Sequence, residues 1–357
     1  MDDDYFNNQA GHEGAHFSDD EEDTVGTKVL APINQPLSGV IITANFEFGK
    51  DEESGLKTIG EYKIHGEIGD GSFSTVKKLE SLKDGHLCAL KIYNKLYLES
   101  QRKIDFETGQ WTNLLARIER ELNLWVNLDH PNICKLLEIY EVPGQKYLYL
   151  QMEIGDLGQV SDFDTTERTV ILNSKVVERY SSLKGIKTRE GVVKDLFRQL
   201  LEGLDYLHNH GVYHGDVKLE NVVITKDLVV KWIDFNSAKQ FKAGDKLTEY
   251  EGTLQYSPPE CIFGLDEGYN PPAADLWSLG VCLYALHFQV LPYDMKPDDN
   301  EFAYEIELNK MIRDQPADFK AGFITPDLKE LLEGLLTKDP ASRWTAQQVR
   351  SSKYLSS

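Results

Sequence analysis

The 357-residue chain carries 59 acidic against 38 basic side chains, a formal charge of −21, with 41% apolar and 27% charged residues. That balance supports a real core and excludes nucleic acid or an anionic membrane as partner, since counterion release needs clustered Lys and Arg; a basic protein substrate suits it better. Four scattered cysteines (Cys88, Cys134, Cys261, Cys282) form no C-x-x-C pair, which excludes a zinc or disulfide framework and implies a reducing compartment, cytoplasmic or nuclear.

In chain order, residues 1–57 hold thirteen acidic side chains against three lysines. This N-terminal tail reads as largely disordered, above all Met1–Lys28, because it buries too little apolar surface to offset ordering entropy. Its "SDDEED" run (Ser18–Asp23) is a solvated acidic stretch or, alternatively, a site for an acid-directed kinase. "GVIITANFEF" (Gly39–Phe48) alternates enough to predict a strand docked on the next domain. Regular structure is expected from Tyr62, where "YKIHGEIG", "STVKKLESL" and "HLCALKIY" form an antiparallel meander punctuated by "GDGSF" and "KDGH" turns. A helix is predicted over Asn113–Asp129, from Leu114, Ile118, Leu122 and Trp125 at helical spacing, and two strands come after it at "KLLEIYEV" and "KYLYLQMEI". The segment 154–190 is longer than a minimal connection; it reads as a solvated surface loop or a partner-docking insertion. Val193, Phe197, Leu200, Leu204 and Leu207 predict a long helix that stops at Gly211. "LWSLGVCLYALHF" (Leu276–Phe288) is too short for a membrane span and reads as a buried helix. A β-rich part succeeded by a helix-rich part predicts an α+β, two-lobed enzyme with its cleft between the lobes.

Several motifs point to phosphoryl transfer. Gly69 and Gly71 of "IGDGSFSTV" lie in a strand–turn–strand context, where bare backbone amides approach phosphate oxygens. Lys91 closes the apolar run "CALK", where it can pair phosphates if a carboxylate such as Glu121 anchors it. In "HGDVKLEN", Asp216 can accept or orient a hydroxyl proton and Lys218 can neutralise the transferring phosphate. Asn221 offers a neutral oxygen to a metal, and Asp234 of "IDFNSA" comes directly after a strand as a second metal ligand.

With "GDGSFSTV", "CALK", Glu121, "HGDVKLEN", "DFN", "GTLQYSPPE", "DLWSLG" and "DPASRW" in this order, the stretch from Tyr62 to Tyr354 resembles a eukaryotic protein kinase domain of serine/threonine type. The resemblance implies a bilobal kinase-like fold, an antiparallel β-rich N-lobe over about 58–153 and a mainly helical C-lobe over about 154–357. It implies ATP and Mg2+ as cofactors and a protein as substrate. Ile68, Val76, Ala89 and Val223 would then enclose the adenine, with Gly69 and Gly71 over the phosphates. Met152 would be the gatekeeper, with Glu153 and Ile154 as hinge. Lys91 would pair with Glu121, Asp216 would be the catalytic aspartate beside Lys218, and Asn221 and Asp234 would hold the metal. Glu260 would pair with Arg343, Asp275 would support the catalytic loop, and Thr253 with Lys218 would mark serine/threonine specificity. "LYLQMEIGDLGQV", "PPECIFG" and "DLWSLGVCLYALHFQVLPY" are similar to the calcium/calmodulin-dependent protein kinase kinases and their liver-kinase relatives, kinases that act on other kinases. "GSFSTV" and "GTLQYSPPE" also resemble the phosphoinositide-dependent kinase. Only fourteen residues lie beyond Arg343, so calmodulin control is not expected.

Three positions depart from the family pattern. Gly215 stands where an arginine usually pairs with a phosphorylated activation-loop residue, so phosphorylation at Thr248 is not expected to be required. Asn236 replaces a glycine and is expected to adopt left-handed backbone at modest strain. Ser74 replaces a third glycine. Every group that would touch phosphate, metal or nucleophile is nonetheless present, which favours an active kinase; the alternative is a pseudokinase scaffold that binds nucleotide and partners.

Overall fold

The computed structural model describes residues 41–43, 46–71, 73–105, 110–141, 146–295, 301–319 and 324–356. The acidic segment Met1–Lys28, with its "SDDEED" run, lies outside these. The chain divides into two compact units, Met1–Glu119 with Leu136–Ile154, and Arg120–Lys135 with Gly155–Ser357.

The first unit is a sheet whose order along the hydrogen-bonding direction is β1-β9-β10-β6-β5-β4-β3-β2. Its centre is the predicted meander: β4 (Tyr62–Gly71), β5 (Ser74–Ser81) and β6 (Leu87–Asn94), antiparallel throughout. Alternation along these strands sends Leu79, Cys88, Leu90 and Ile92 into one core with Tyr140 and Tyr149. β9 (Leu136–Tyr140) and β10 (Tyr147–Met152) extend the sheet on the β6 side. The strand expected within 39–48 is β1 (Ile41–Thr43), which pairs with β9 in parallel at the sheet edge.

Order begins earlier than Tyr62. β2 (Phe48–Lys50) and β3 (Lys57–Ile59) continue the sheet beyond β4. Phe46 supplies the physical reason: its ring meets Tyr140, Tyr149 and Phe48 edge-on, at centroid distances of 5.2, 5.7 and 5.4 Å. Aromatic packing of this kind offsets the acidic surroundings of the segment. α1 (Lys95–Ser100) and the hairpin of β7 (Arg102–Asp105) and β8 (Gln110–Asn113) lead into α2 (Leu114–Trp125), whose second half, from Arg120, belongs to the other unit.

The second unit is mainly helical. The 154–190 stretch is not a plain surface loop: β11 (Ser161–Asp164) and β12 (Thr169–Leu172) form a hairpin, and α3 (Ser174–Lys184) succeeds it. Asn173 caps α3, and Val160, Val170, Val176 and Tyr180 are buried. The polar flanks "DFDTTER" obscure this apolar spacing in the sequence. α4 (Arg189–Asn209) buries the five predicted apolar residues, and Gly211 just beyond it has φ +67°. β13 (Val212–Tyr213) pairs with β16 (Lys239–Gln240), and β14 (Val222–Ile224) with β15 (Val230–Trp232). α5 (Pro259–Phe263) precedes α6 (Pro271–Phe288), which starts at the Asn270 cap and is buried over most of its circumference. That is why its sequence is apolar without a polar face. α7 (Glu301–Asp314), α8 (Pro326–Leu335), α9 (Ala346–Arg350) and α10 (Lys353–Ser356) complete the unit. Among the described residues, no helix is long and apolar enough to cross a membrane.

Candidate active site

In the first unit, strand register gathers the residues that the resemblance assigns to nucleotide. Gly69 lies opposite Val76 and Gly71 opposite Ser74, so the glycine-rich stretch is a β-hairpin. Asp70 is exposed, as a turn position demands. Lys91 is the cross-strand partner of both Val76 and Leu150, and Ala89 pairs with Met152. Val76, Ala89, Lys91 and Met152 thus occupy neighbouring positions of three adjacent strands. Ile68 is half exposed at the hairpin, Met152 is buried at the end of β10, and Glu153 and Ile154 come directly after it. The Lys91 side chain is buried, with its ammonium 5.1 Å from the Tyr93 ring centre. Glu121 is buried on α2 in the second unit. Its pairing with Lys91 stays an implication of the resemblance.

The second unit holds a more fully specified cluster. After β13, the backbone N–H groups of His214 and Gly215 donate to the two oxygens of Asp275 on α6, at 2.9 and 3.1 Å. Asp275 therefore fixes the loop that presents Asp216, as the resemblance implies. One oxygen of Asp216 accepts from Thr253 twice, from its backbone N–H at 3.1 Å and its hydroxyl at 2.8 Å. The other accepts from the Asn221 amide at 3.1 Å and lies 2.7 Å from the Lys218 ammonium. Lys218 also donates to the Thr253 hydroxyl at 2.9 Å. Asp216, Lys218, Asn221 and Thr253 thus form one hydrogen-bonded set in which each member restrains the carboxylate.

A hairpin brings the two metal-ligand candidates together. Asn221 immediately precedes β14, and Asp234 lies two residues past the end of β15; Val222 pairs with Trp232, and Ile233 N–H donates to the Asn221 carbonyl at 3.0 Å. The Asn221 NH2 group is engaged by Asp216, at 2.9 Å from its carbonyl and 3.1 Å from its carboxylate. The amide oxygen is then the atom Asn221 can offer a cation. With the Asp234 carboxylate it makes the hard, all-oxygen donor set that Mg2+ prefers, and these residues fit that ion.

One expectation is corrected here. The left-handed residue of the "DFN" turn is Asp234, at φ +63°, and Asn236 is not left-handed. Phe235 behind it is fully buried between Trp125 and His214, which anchors the turn. Asn236 instead donates its side-chain amide to the Asp234 carboxylate. Sequence reading missed this role, because a short polar side chain two residues from a ligand carries no periodic signal. Burial also lowers the pKa of His214. Further out, Arg343 makes a bidentate pair with Glu260, at 2.5 and 2.9 Å, as the resemblance implies.

Comparison with known proteins agrees with this arrangement. The model of the protein kinase domain matches residues 62–355. The chain is 32% identical over 300 residues to the serine/threonine-protein kinase GRIK2 of Arabidopsis thaliana, across 84% of this chain and 66% of that protein. It is 32% identical over 306 residues to the serine/threonine-protein kinase par-4 of Caenorhabditis elegans, across 84% and 43% of the two lengths. With the calcium/calmodulin-dependent protein kinase kinase of the same worm it shares 28% identity over 306 residues, across 82% and 52%. The chain spans less than two thirds of the length of each of these three relatives. The β-rich and helical units, the Asp216 cluster and the matched region together show that the chain belongs to the protein kinase family, and its relatives are of the serine/threonine type.

Proposed function

We propose that the chain is an active serine/threonine protein kinase that transfers the γ-phosphoryl group of ATP to Ser or Thr hydroxyls of proteins, other kinases among them. The observation that carries this reading is the Asp216 carboxylate, held by Thr253, Lys218 and Asn221 in one geometry. Asp216 orients the incoming hydroxyl, and Lys218 sits where it can offset charge on the phosphoryl oxygens. Mg2+, when bound at Asn221 and Asp234, supplies neutralisation of the phosphate charge. The resemblance implies that Gly69 and Gly71 cover the phosphates and that Lys91, with Glu121, positions them. Likeness to a protein named a kinase kinase supports kinases as substrates. Four buried free cysteines are consistent with a reducing compartment, cytoplasmic or nuclear.

The test is transfer of labelled phosphate from ATP to a Ser/Thr peptide library that includes activation-loop sequences of other kinases. Asp216→Asn preserves size and should lower transfer by a factor of about 10²–10⁴, the scale of a positioned acid–base group. No transfer by the native chain with either Mg2+ or Mn2+ would leave a nucleotide-binding scaffold as the correct reading.

A further inference from the structure

The segment Lys246–Thr253 is seated on the Asp216 loop through Gly252 and Thr253. Gly215 has φ +80°, and a Cβ there would lie 2.4 Å from the Ser237 carbonyl oxygen. No larger residue fits this backbone. The Gly215 carbonyl is covered by Gly252: a Cβ on Gly252 would be 2.7 Å from that oxygen and 2.3 Å from the Tyr250 hydroxyl. Gly215 thus makes room for Ser237, Gly252 lets its own backbone lie against the Gly215 carbonyl, and the Tyr250 ring packs on Gly252. That ring meets Tyr269 edge-on at 6.0 Å and packs against the cluster of Tyr213, Cys261 and Tyr269.

Neighbouring contacts hold the same segment. Leu247 and Tyr269 exchange two backbone hydrogen bonds, at 3.0 and 2.8 Å. The Tyr269 hydroxyl donates to the Glu249 carbonyl at 2.7 Å, and the Glu249 carboxylate pairs with Lys239 on β16 at 2.9 Å. Thr248, between them, is exposed. The next residue after Gly252 is Thr253, whose N–H and hydroxyl aim Asp216.

We propose that Tyr250 is a positioning residue: its ring, packed on Gly252 against Gly215, holds Thr253 on Asp216, so that the site is assembled without phosphorylation of the segment. Glu249, paired with Lys239, supplies a fixed negative charge beside it. This inference rests on the kinase reading above and names how that site is regulated.

The experiment compares the full chain, phosphatase-treated, with Thr248→Ala, Tyr250→Phe and Tyr250→Ala, by steady-state kinetics and by amide hydrogen exchange over 246–253. Phosphatase treatment and Thr248→Ala should leave kcat within about twofold, whereas Tyr250→Ala should lower kcat by about tenfold or more with the ATP KM little changed. Amides of 247–253 should exchange at least about tenfold faster in Tyr250→Ala, and Tyr250→Phe, which keeps the ring, should restore most of both. Loss of kcat and protection on phosphatase treatment or in Thr248→Ala would overturn the proposal, as would a Tyr250→Ala chain indistinguishable from native. The exchange arm needs no turnover, so it decides the latch even if native transfer is absent and the kinase reading fails.

Discussion

Lys338 shows how much a single buried charge can report. Its ammonium lies 4.1 Å from the Tyr293 ring centre and 4.9 Å from that of Trp277, and it donates to the Tyr293 hydroxyl at 2.9 Å. Burial first, and the Arg343 charge second, push its pKa down to about 8. Between that value and the ordinary one of about 10.4, the unfolded chain binds more protons than the folded chain, so stability rises with pH. Below the lower value both states are charged and the cost is present in full. In urea titrations at pH 7.5 and 9.5, the native chain should therefore gain stability relative to Lys338→Met at the higher pH. A difference that does not change with pH would refute this. At the residue scale the sequence was most legible for chemistry: Asp216, Lys218, Asn221 and Asp234 come together as their motifs imply. Asn236 and Tyr250 were not legible, because their roles depend on a turn and on contacts between segments that no spacing encodes.

Between elements, the clearest coupling is α5 to the turn before α9. The Arg343 side chain is fully buried, bonds both oxygens of Glu260, and also donates to the Ala273 carbonyl on α6 at 2.8 Å. Arg343→Met removes the charge while filling part of the space and strands a nearly buried carboxylate. It should cost about 3–5 kcal/mol, read as a shift of the denaturation midpoint at unchanged slope. Retention of native stability would show that Glu260 finds another partner or water. Element existence was readable where periodicity was long. α4 and α6 fall where apolar spacing or a continuous apolar run put them, because burial of a long face dominates local preference. The 161–184 hairpin and helix were not readable, since each is short and flanked by charges. β2 was hidden for a related reason: its place on the sheet depends on aromatic contacts that Phe46 makes with distant strands.

For the molecule as a whole, the kinase reading implies that nucleotide binds the folded chain only. MgATP at about a hundred times its dissociation constant should stabilise the fold by about 2.7 kcal/mol, seen as a rise in unfolding temperature. The Asp216→Asn chain should show a comparable rise, since on that reading the residue serves the hydroxyl substrate; no rise in either chain would rule out nucleotide as a ligand. The sequence by itself determined the α+β class, the family and the order of the chemical groups, because motif composition and long apolar periodicity are local properties. It also marked Gly215 and Asn236 as departures, without the contacts they make. Only the tertiary structure decided those: Gly215 is bare because its backbone is left-handed and the Ser237 carbonyl lies against it, and Asn236 bonds a neighbouring carboxylate. Both come from close packing between segments distant in sequence or folded by a turn, where the space available, and not the local pattern, selects the residue.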